Sequence, residues 1–203
     1  MKFVLSFGTL LLVLPAFALA FQTETYGWEE TSTVLAIYGN GNPDLEYTSP
    51  VYAGSQSLEF YESPLGGTPQ AIVCWIQNLD EGDTVAASFY VYDDTPGSSP
   101  SGRIWAHYNV NYSDPGNYDG SAGGNSTYSS GIGWEQLSYE WTIDADSLHA
   151  GLMIEGRIYS SSEFDTLWFD QMEVTAPDGA TIVWPNVPVA LVRRTWADIK
   201  SAF

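Results

Sequence analysis

The sequence contains one cysteine, Cys74, so an internal disulfide is excluded. Cys74 lies in the apolar run Ala71–Ile76, which favours a buried, inert thiol over a nucleophile. The chain lacks the CxxC, HExxH and Cys/His patterns of zinc sites and the glycine-rich loops that bind nucleotides. It also lacks the GxSxG turn of serine hydrolases. These absences argue against zinc enzymes, nucleotide-dependent enzymes and serine hydrolases.

Basic residues are also scarce. Six Lys and Arg side chains face 25 Asp and Glu, which gives a formal net charge of −19. A charge of this sign argues against nucleic acids and anionic membranes as partners. Acid-rich loops can hold Ca²⁺, although carboxylates that simply keep the protein soluble are an equally good explanation.

Residues 1–20 have the pattern of a secretory signal peptide. Lys2 is followed by the apolar run Phe3–Leu14 and by the small-residue cleavage site Ala18-Leu19-Ala20. The run is short for a transmembrane helix, and an uncleaved anchor is the alternative. We therefore expect a secreted protein, extracellular or at the cell surface, with no membrane insertion after cleavage.

Apolar alternation with a period of two dominates the rest of the chain, and Gly, Ser, Asn, Asp and Pro clusters separate the alternating runs. This pattern predicts an all-β fold, a jelly-roll β-sandwich of two antiparallel sheets over residues 21–186. Thr166–Gly179 is predicted to be the closing strand, with Asp170 among its inward side chains and Asp178-Gly179 turning the chain back into Thr181–Trp184. The predicted strands are 32–38, 57–61, 70–78, 84–92, 102–112, 135–143, 150–159, 166–175 and 180–184, and residues 21–31 are expected to form a further strand or an ordered arm.

The tail, residues 187–203, differs from the preceding sequence. Thr195 can cap a short helix that places Trp196, Ile199 and Phe203 on one face. One interpretation is a helix docked on the sandwich. The other is a recognition tail, residues 189–203, that contacts a surface assembly partner.

The longest irregular segment is Pro115–Gly133, which is rich in Gly and Ser and contains Tyr118 and Tyr128. Loops of this length are usually functional or disordered. The embedded tyrosines favour a loop that makes contacts.

Alternation in three strands assigns one set of side chains to the core and the other to the outer face. If strands 84–92, 102–112 and 150–159 share a sheet, its outer face combines aromatic rings, hydrogen-bond donors and a carboxylate. Sugars stack on such rings and bond to such polar groups. Cross-strand Arg–Glu pairing and β-propensity explain the same residues equally well. The candidate carbohydrate-binding residues are Tyr90, Tyr92, Arg103, Trp105, His107, Glu155, Arg157 and Tyr159.

Catalytic chemistry has weaker support in the sequence. Glycoside hydrolysis uses two carboxylates, and Glu155 is the only one assigned to this face. A lyase would pair His107 with Tyr90 or Tyr159, but no spacing specifies such a pair. No catalytic residue is therefore predicted.

Two groups of segments resemble a known family. Gly54–Leu58 and Leu79–Val85 resemble the first half of a carbohydrate-binding-module-like jelly roll of the galactose-binding-like type, and Trp134–Leu137 and Trp168–Val174 resemble its second half. The resemblance covers about Tyr26–Ala176. It implies a non-catalytic β-sandwich that holds sugar on a sheet or at loop tips, often with structural Ca²⁺. Asp170 matches the first Asp of the calcium motif, Gln171 replaces the second, and Glu30 or Glu29 would be the co-ligand.

The sequence thus predicts a secreted, non-catalytic protein that binds a polysaccharide or glycan. A structural or adhesive surface protein that acts through subunit contacts is the first alternative. A small jelly-roll glycosidase or polysaccharide lyase is the second.

Overall fold

The computed structural model describes residues 20–97, 99–125, 128–129, 131–144 and 151–185. The predicted signal peptide up to residue 19 lies outside this part of the chain. The predicted C-terminal helix and the proposed contact tail, residues 189–203, also lie outside it. Within the described ranges, no helix has the length and apolar character needed to cross a membrane.

Strands account for all of the regular structure in these ranges. The first six are β1 (Phe21–Tyr26), β2 (Ala36–Tyr38), β3 (Gly41–Glu46), β4 (Ser57–Glu62), β5 (Gln70–Gln77) and β6 (Thr84–Asp93). The other six are β7 (Ser101–Tyr108), β8 (Gly120–Gly124), β9 (Gly133–Thr142), β10 (Leu152–Tyr159), β11 (Thr166–Pro177) and β12 (Thr181–Val183).

The strands form two antiparallel sheets, which confirms the predicted β-sandwich. Sheet A has the order β3-β4-β11-β6-β9, and β1 also pairs with β11. Sheet B has the order β12-β5-β10-β7-β8, and β2 also pairs with β5.

The core lies between the sheets and follows the predicted alternation. In β6 every second residue, from Val85 to Val91, is buried, and in β7 Ile104 and Ala106 are fully buried. The rings of Phe89 and Phe169 meet edge to face with centroids 5.2 Å apart. Each such side chain contributes about 1.5–3 kcal/mol through burial. Cys74 is fully buried, and burial raises the pKa of its thiol, as expected of an inert core cysteine.

Three segments differ from the prediction. β3 lies in Gly39–Pro50, which was expected to be a loop, and β8 lies in the long Gly/Ser-rich segment 115–133. Both are outer strands of their sheets. Pairing with the neighbouring strand holds these segments in an extended conformation, although their sequences have weak strand propensity. The segment 102–112 was also predicted as one strand, but β7 ends at Tyr108 and Val110 is 62% exposed.

The predicted turn at Asp178-Gly179 and the strand after it are present, but the turn does not form a β-hairpin. Neither Asp178 nor Gly179 has a positive φ, and β12 pairs with β5 in sheet B instead of with β11. The chain therefore crosses from one sheet to the other at this turn.

The predicted inward orientation of Asp170 is also wrong. β11 contains a bulge, with the register shift between Asp170 and Glu173 and a φ of 49° at Gln171. The bulge inserts a residue, so Phe169 and Met172 both reach the core. Asp170 instead belongs to the outer face of sheet A, where the backbone of residues 52–53 covers it.

Candidate functional site

The outer face of sheet B carries six of the eight predicted sugar-binding residues. β10 lies between β7 and β5, so its outward side chains each have neighbours on both sides. Arg157 is opposite Arg103 on β7 and Gln70 on β5, and Glu155 is opposite Trp105. His107 and Tyr159 lie on the same face, at its two ends. Since neighbouring strands are about 4.8 Å apart, the row from Tyr38 on β2 through Arg103 spans about 14 Å.

Glu155 is the centre of this face and is fully buried. Its Oε1 accepts hydrogen bonds from Arg157, 2.9 Å from Nε and 2.6 Å from Nη2. His107 Nδ1 lies 3.1 Å from the same oxygen but without the alignment of a hydrogen bond. Glu155 Oε2 has no hydrogen-bond partner in the described structure. The carboxylate therefore fixes Arg157 and keeps unused acceptor capacity.

Trp105 supports both arginines of this face. The guanidinium carbon of Arg103 lies 4.3 Å from the centre of the Trp105 ring, and that of Arg157 lies 4.6 Å from it. The indole N–H donates to Ser121 Oγ on β8 at 3.1 Å. β8 can approach this closely because residue 124 is glycine, and a Cβ there would collide with the backbone of β7. Trp105 therefore holds both guanidinium groups in place, and its predicted contact with sugar stays a prediction.

Two tyrosines from the long loop region complete the face. The Tyr118 ring lies 4.1 Å from that of His107, and the Tyr128 ring meets that of Tyr159 edge to face at 5.0 Å. Tyr118 is 44% exposed and Tyr128 is 41% exposed, so both offer ring surface to a ligand. Neither tyrosine is among the predicted site residues. Their occurrence in an otherwise Gly/Ser-rich loop was the available signal.

One end of the same face is closed by a small apolar cluster. Ile72, Trp75 and Met153 are buried although they point away from the main core, and Tyr112 packs edge to face on Trp75 at 5.1 Å. Met153 lies on the same face of β10 as Glu155 and Arg157, but the cluster buries it. Met153 of this cluster is directly opposite His107, on which Tyr118 packs, so the exposed Tyr118 ring borders the cluster.

The face also concentrates the positive charge. Arg103 and Arg157 are the only Arg or Lys among the described residues, and His107 is the only described histidine. All three lie on this one surface. The protein as a whole has a net charge of −19, so the site differs in charge from the rest of the surface.

Tyr90 and Tyr92 do not belong to this site. They lie on β6 in sheet A, on the opposite side of the sandwich, so the assumption that the three strands share a sheet was wrong. Tyr90 stacks on Tyr52 with centroids 3.7 Å apart, and Tyr92 contacts Trp134 at 5.3 Å and Trp168 at 5.9 Å. Sugar binding by this second aromatic group stays a prediction.

A shallow depression of about 310 Å³ adjoins these aromatic residues on sheet A. Small and polar side chains form most of its lining, including Ser88, Gln136, Ser138 and Thr175. Its lining also includes the ring of Tyr139, which is 37% exposed, and the carboxylates of Glu140 and Glu173, but no Arg or Lys.

Asp170 was the predicted calcium ligand. Its Oδ2 accepts N–H bonds from Tyr52 at 2.8 Å and Ala53 at 3.0 Å, and its Oδ1 accepts one from Gln171 at 2.6 Å. Burial raises the pKa of Asp170 above its usual range, although these hydrogen bonds oppose the shift. Glu30 is exposed and has no recorded contact with Asp170.

The residues as placed do not fit a calcium site. N–H groups already point at both Asp170 oxygens, whereas Ca²⁺ needs oxygen ligands there. No group of three or more His, Cys, Asp or Glu side chains that could hold a metal occurs in the described ranges. Calcium binding by Asp170 and Glu30 stays a prediction.

The segment that covers Asp170 is held by a second carboxylate. Glu29 Oε1 accepts the Ser55 N–H at 2.9 Å, and Glu29 Oε2 accepts the Ser55 hydroxyl at 2.6 Å. These bonds lower the pKa of Glu29 below its usual range. Gly54 has a φ of 76°, and a Cβ there would collide with the Glu29 carboxylate. Asp170 and Glu29 together therefore serve to fix this loop.

The fold is an antiparallel β-sandwich of two sheets, and one outer face combines guanidinium groups with aromatic rings. No known family profile matches the sequence. No curated protein matches it either. The solved structures with a similar fold include xylan-binding domains, as the resemblance to such modules predicted.

Two of them are domains of one protein, Xyn10C from Paenibacillus barcinonensis. Its CBM22-1 xylan-binding domain is 17% identical to this chain, with a TM-score of 0.53, and the match covers 79% of this chain and 97% of that domain. Its CBM22-2 xylan-binding domain is 18% identical, with a TM-score of 0.53 and coverage of 75% and 98%. An arabinose-bound α-L-arabinofuranosidase, MgGH51, is 17% identical with a TM-score of 0.51, and the match covers 74% of this chain but 25% of that enzyme. At these identities the likeness concerns the fold alone.

Proposed function

We propose that this protein is an extracellular, non-catalytic module that binds a polysaccharide of the xylan type on the outer face of sheet B. The observation that carries the proposal is the arrangement on this face of two guanidinium groups, held by Trp105, beside the exposed rings of Tyr118 and Tyr128. The fold likeness to xylan-binding domains supports the choice of polymer.

The face offers both kinds of contact that a sugar chain uses. Tyrosine rings present flat apolar surface for the C–H faces of sugar rings. Gln70, Arg157 and Arg103 form, in this order across three adjacent strands, a row of donors for hydroxyl groups. The row spans about 10 Å from Gln70 to Arg103, which suits an oligosaccharide segment better than a single sugar.

The scarcity of carboxylates in sheet B supports a binding role without catalysis. Glu155 is the only Asp or Glu in the strands of that sheet. It is fully buried and paired with Arg157. Glycoside hydrolysis generally needs two carboxylates on either side of the scissile bond. A glycosidase at this face would need its second carboxylate from a loop.

Affinity gel electrophoresis and calorimetry with soluble xylan and with a mixed-linkage β-glucan test the proposal. Tyr118→Ala and Tyr128→Ala should each weaken binding about five-fold, because each removes one exposed ring worth about 1 kcal/mol. Tyr92→Ala, on the opposite sheet, is the matched control and should leave the affinity unchanged. Thermal melts of all three variants show whether they are folded.

Three outcomes would contradict the proposal. If wild-type protein is not retarded by any polysaccharide, the function is wrong. If Tyr92→Ala abolishes retardation while Tyr118→Ala does not, the binding face is sheet A. Release of reducing sugar from the same polymers would show that the module is a catalyst.

The structural or adhesive alternative predicted from the sequence has a separate test. Its postulated contact segment, residues 189–203, lies outside the described residues. Sedimentation of the full chain and of a chain that ends at residue 188 distinguishes the two ideas. Concentration-dependent oligomers that disappear on shortening would favour assembly over sugar binding.

A further inference from the structure

We propose that the polysaccharide bound on sheet B carries carboxylate groups, as uronic acid substituents do, and that Arg103 binds them. This inference rests on the proposed function and adds the chemical class of the ligand. It comes from the charges of the face, which a neutral sugar chain does not require.

The two arginines of the face differ in their partners. Arg157 has a carboxylate partner, since Glu155 accepts two of its N–H groups. Arg103 has no ion pair with any described Asp or Glu. It donates to the Asn125 carbonyl through Nε and to the Tyr128 hydroxyl through Nη1 at 3.2 Å. Both of those acceptors are neutral, so the positive charge of Arg103 is not compensated.

The two arginines also oppose each other on adjacent strands. Arg103 and Arg157 are direct cross-strand partners, and like charges in this position destabilise a sheet. The only carboxylate in the strands of sheet B, Glu155, pairs with Arg157 and not with Arg103. The Arg and Glu side chains of these strands therefore sum to a charge of +1, in a protein of net charge −19. A destabilising charge pattern at a candidate binding surface is best explained by a ligand of the opposite sign.

Arg103 is held in place before any ligand arrives. Its guanidinium carbon lies 4.3 Å from the Trp105 ring centre and 5.0 Å from the Tyr128 ring centre. The rings attract the cation and limit its rotamers. A guanidinium has more N–H donors than its two hydrogen bonds use. The remaining donors can bind a carboxylate with little further loss of side-chain entropy.

The acidic remainder of the protein strengthens the selectivity. A polymer with carboxylate groups is repelled by most of this surface. Among the described residues, Arg and Lys side chains occur only on this face of sheet B. An acidic polymer therefore gains an attraction there that a neutral polymer does not.

The experiment compares one polymer in two forms. Xylan with glucuronic acid substituents and the same xylan after carboxyl reduction are titrated with wild-type protein, Arg103→Met and Arg103→Lys at low salt and at about 0.5 M NaCl. Wild-type protein should bind the acidic form about five- to ten-fold more tightly, as expected for one partly exposed charge-assisted contact. Arg103→Met should bind both forms equally, Arg103→Lys should keep part of the preference, and high salt should reduce it.

The outcomes separate this inference from the proposed function. Equal binding of both forms by wild-type protein, or a preference retained by Arg103→Met, overturns the role of Arg103 while leaving polysaccharide binding intact. Binding of neither form overturns the proposed function as well. If Arg103→Met does not fold, the wild-type comparison of the two polymers and its salt dependence still decide the question.

Discussion

Replacing Glu155 by Gln should destabilise the protein strongly, because it removes the charge that compensates Arg157. The Glu155 side chain is fully buried and that of Arg157 is 12% exposed, so water can do little to solvate the remaining guanidinium. Breaking a buried ion pair from one side costs about 3–5 kcal/mol. Gln keeps the shape and one acceptor, so we expect a loss of about 3 kcal/mol, or about 6–12 °C in Tm for a domain of this size.

Urea and thermal unfolding of a matched set of variants measure this loss. Glu140→Gln, an exposed change on sheet A, should alter the free energy of unfolding by less than about 0.5 kcal/mol. Adding Arg157→Met to Glu155→Gln should restore part of the stability, because the unpaired cation is then removed. The reasoning would be refuted if Glu155→Gln lost less than about 1 kcal/mol of unfolding free energy. It would also be refuted if Arg157→Met cost the same stability in the wild-type background as in the Glu155→Gln background.

Three further predictions concern carboxylates and the loop over Asp170. Burial and the nearby Glu46 raise the pKa of Glu59. Ionised Glu59 therefore destabilises the folded protein at pH values above the usual glutamate pKa, whereas protonated Glu59 at lower pH does not. Glu59→Gln should therefore raise Tm at about pH 7 and leave it unchanged at about pH 3.5, as melts at both values will show. Gly54→Ala should cost about 2 kcal/mol in urea unfolding because it forces a side chain into a φ of 76° against Glu29, and a neutral result would contradict the loop geometry. Because N–H groups surround the carboxylate of Asp170, EDTA and added Ca²⁺ should leave Tm unchanged; a rise with Ca²⁺ that Asp170→Asn abolishes would establish the calcium site instead.

Alternation predicted which side of each strand faces the core, and it succeeded where strands are regular. In β7 and β10 the residues that carry the site alternate strictly, so the outward set of Arg103, Trp105, Glu155 and Arg157 follows from the sequence. Alternation does not reveal which sheet a strand joins. Tyr90 was assigned to the same face for that reason, since only long-range pairing places β6 in sheet A.

Errors elsewhere have local physical causes. A bulge has no strong sequence signature. Alternation alone therefore did not predict that the side chains of β11 change sides at Gln171, where φ is 49°. The contribution of Tyr118 and Tyr128 depends on how a Gly/Ser-rich loop folds back over sheet B, which tertiary contacts decide. The charge imbalance around Arg103 required both the cross-strand register and the hydrogen-bond partners.

The two ends of the described fold lie side by side. Tyr26 of β1 stacks on Trp184 with centroids 5.3 Å apart, Trp184 Nε1 donates to Glu24 at 2.9 Å, and the Asp178 N–H donates to the carbonyl of Ala20 at 3.1 Å. A tether attached before β1 or after β12 would therefore leave the sandwich from nearly the same point. Whichever end holds the molecule to a cell wall, a fibre or a fusion partner, the sandwich would be presented in the same orientation.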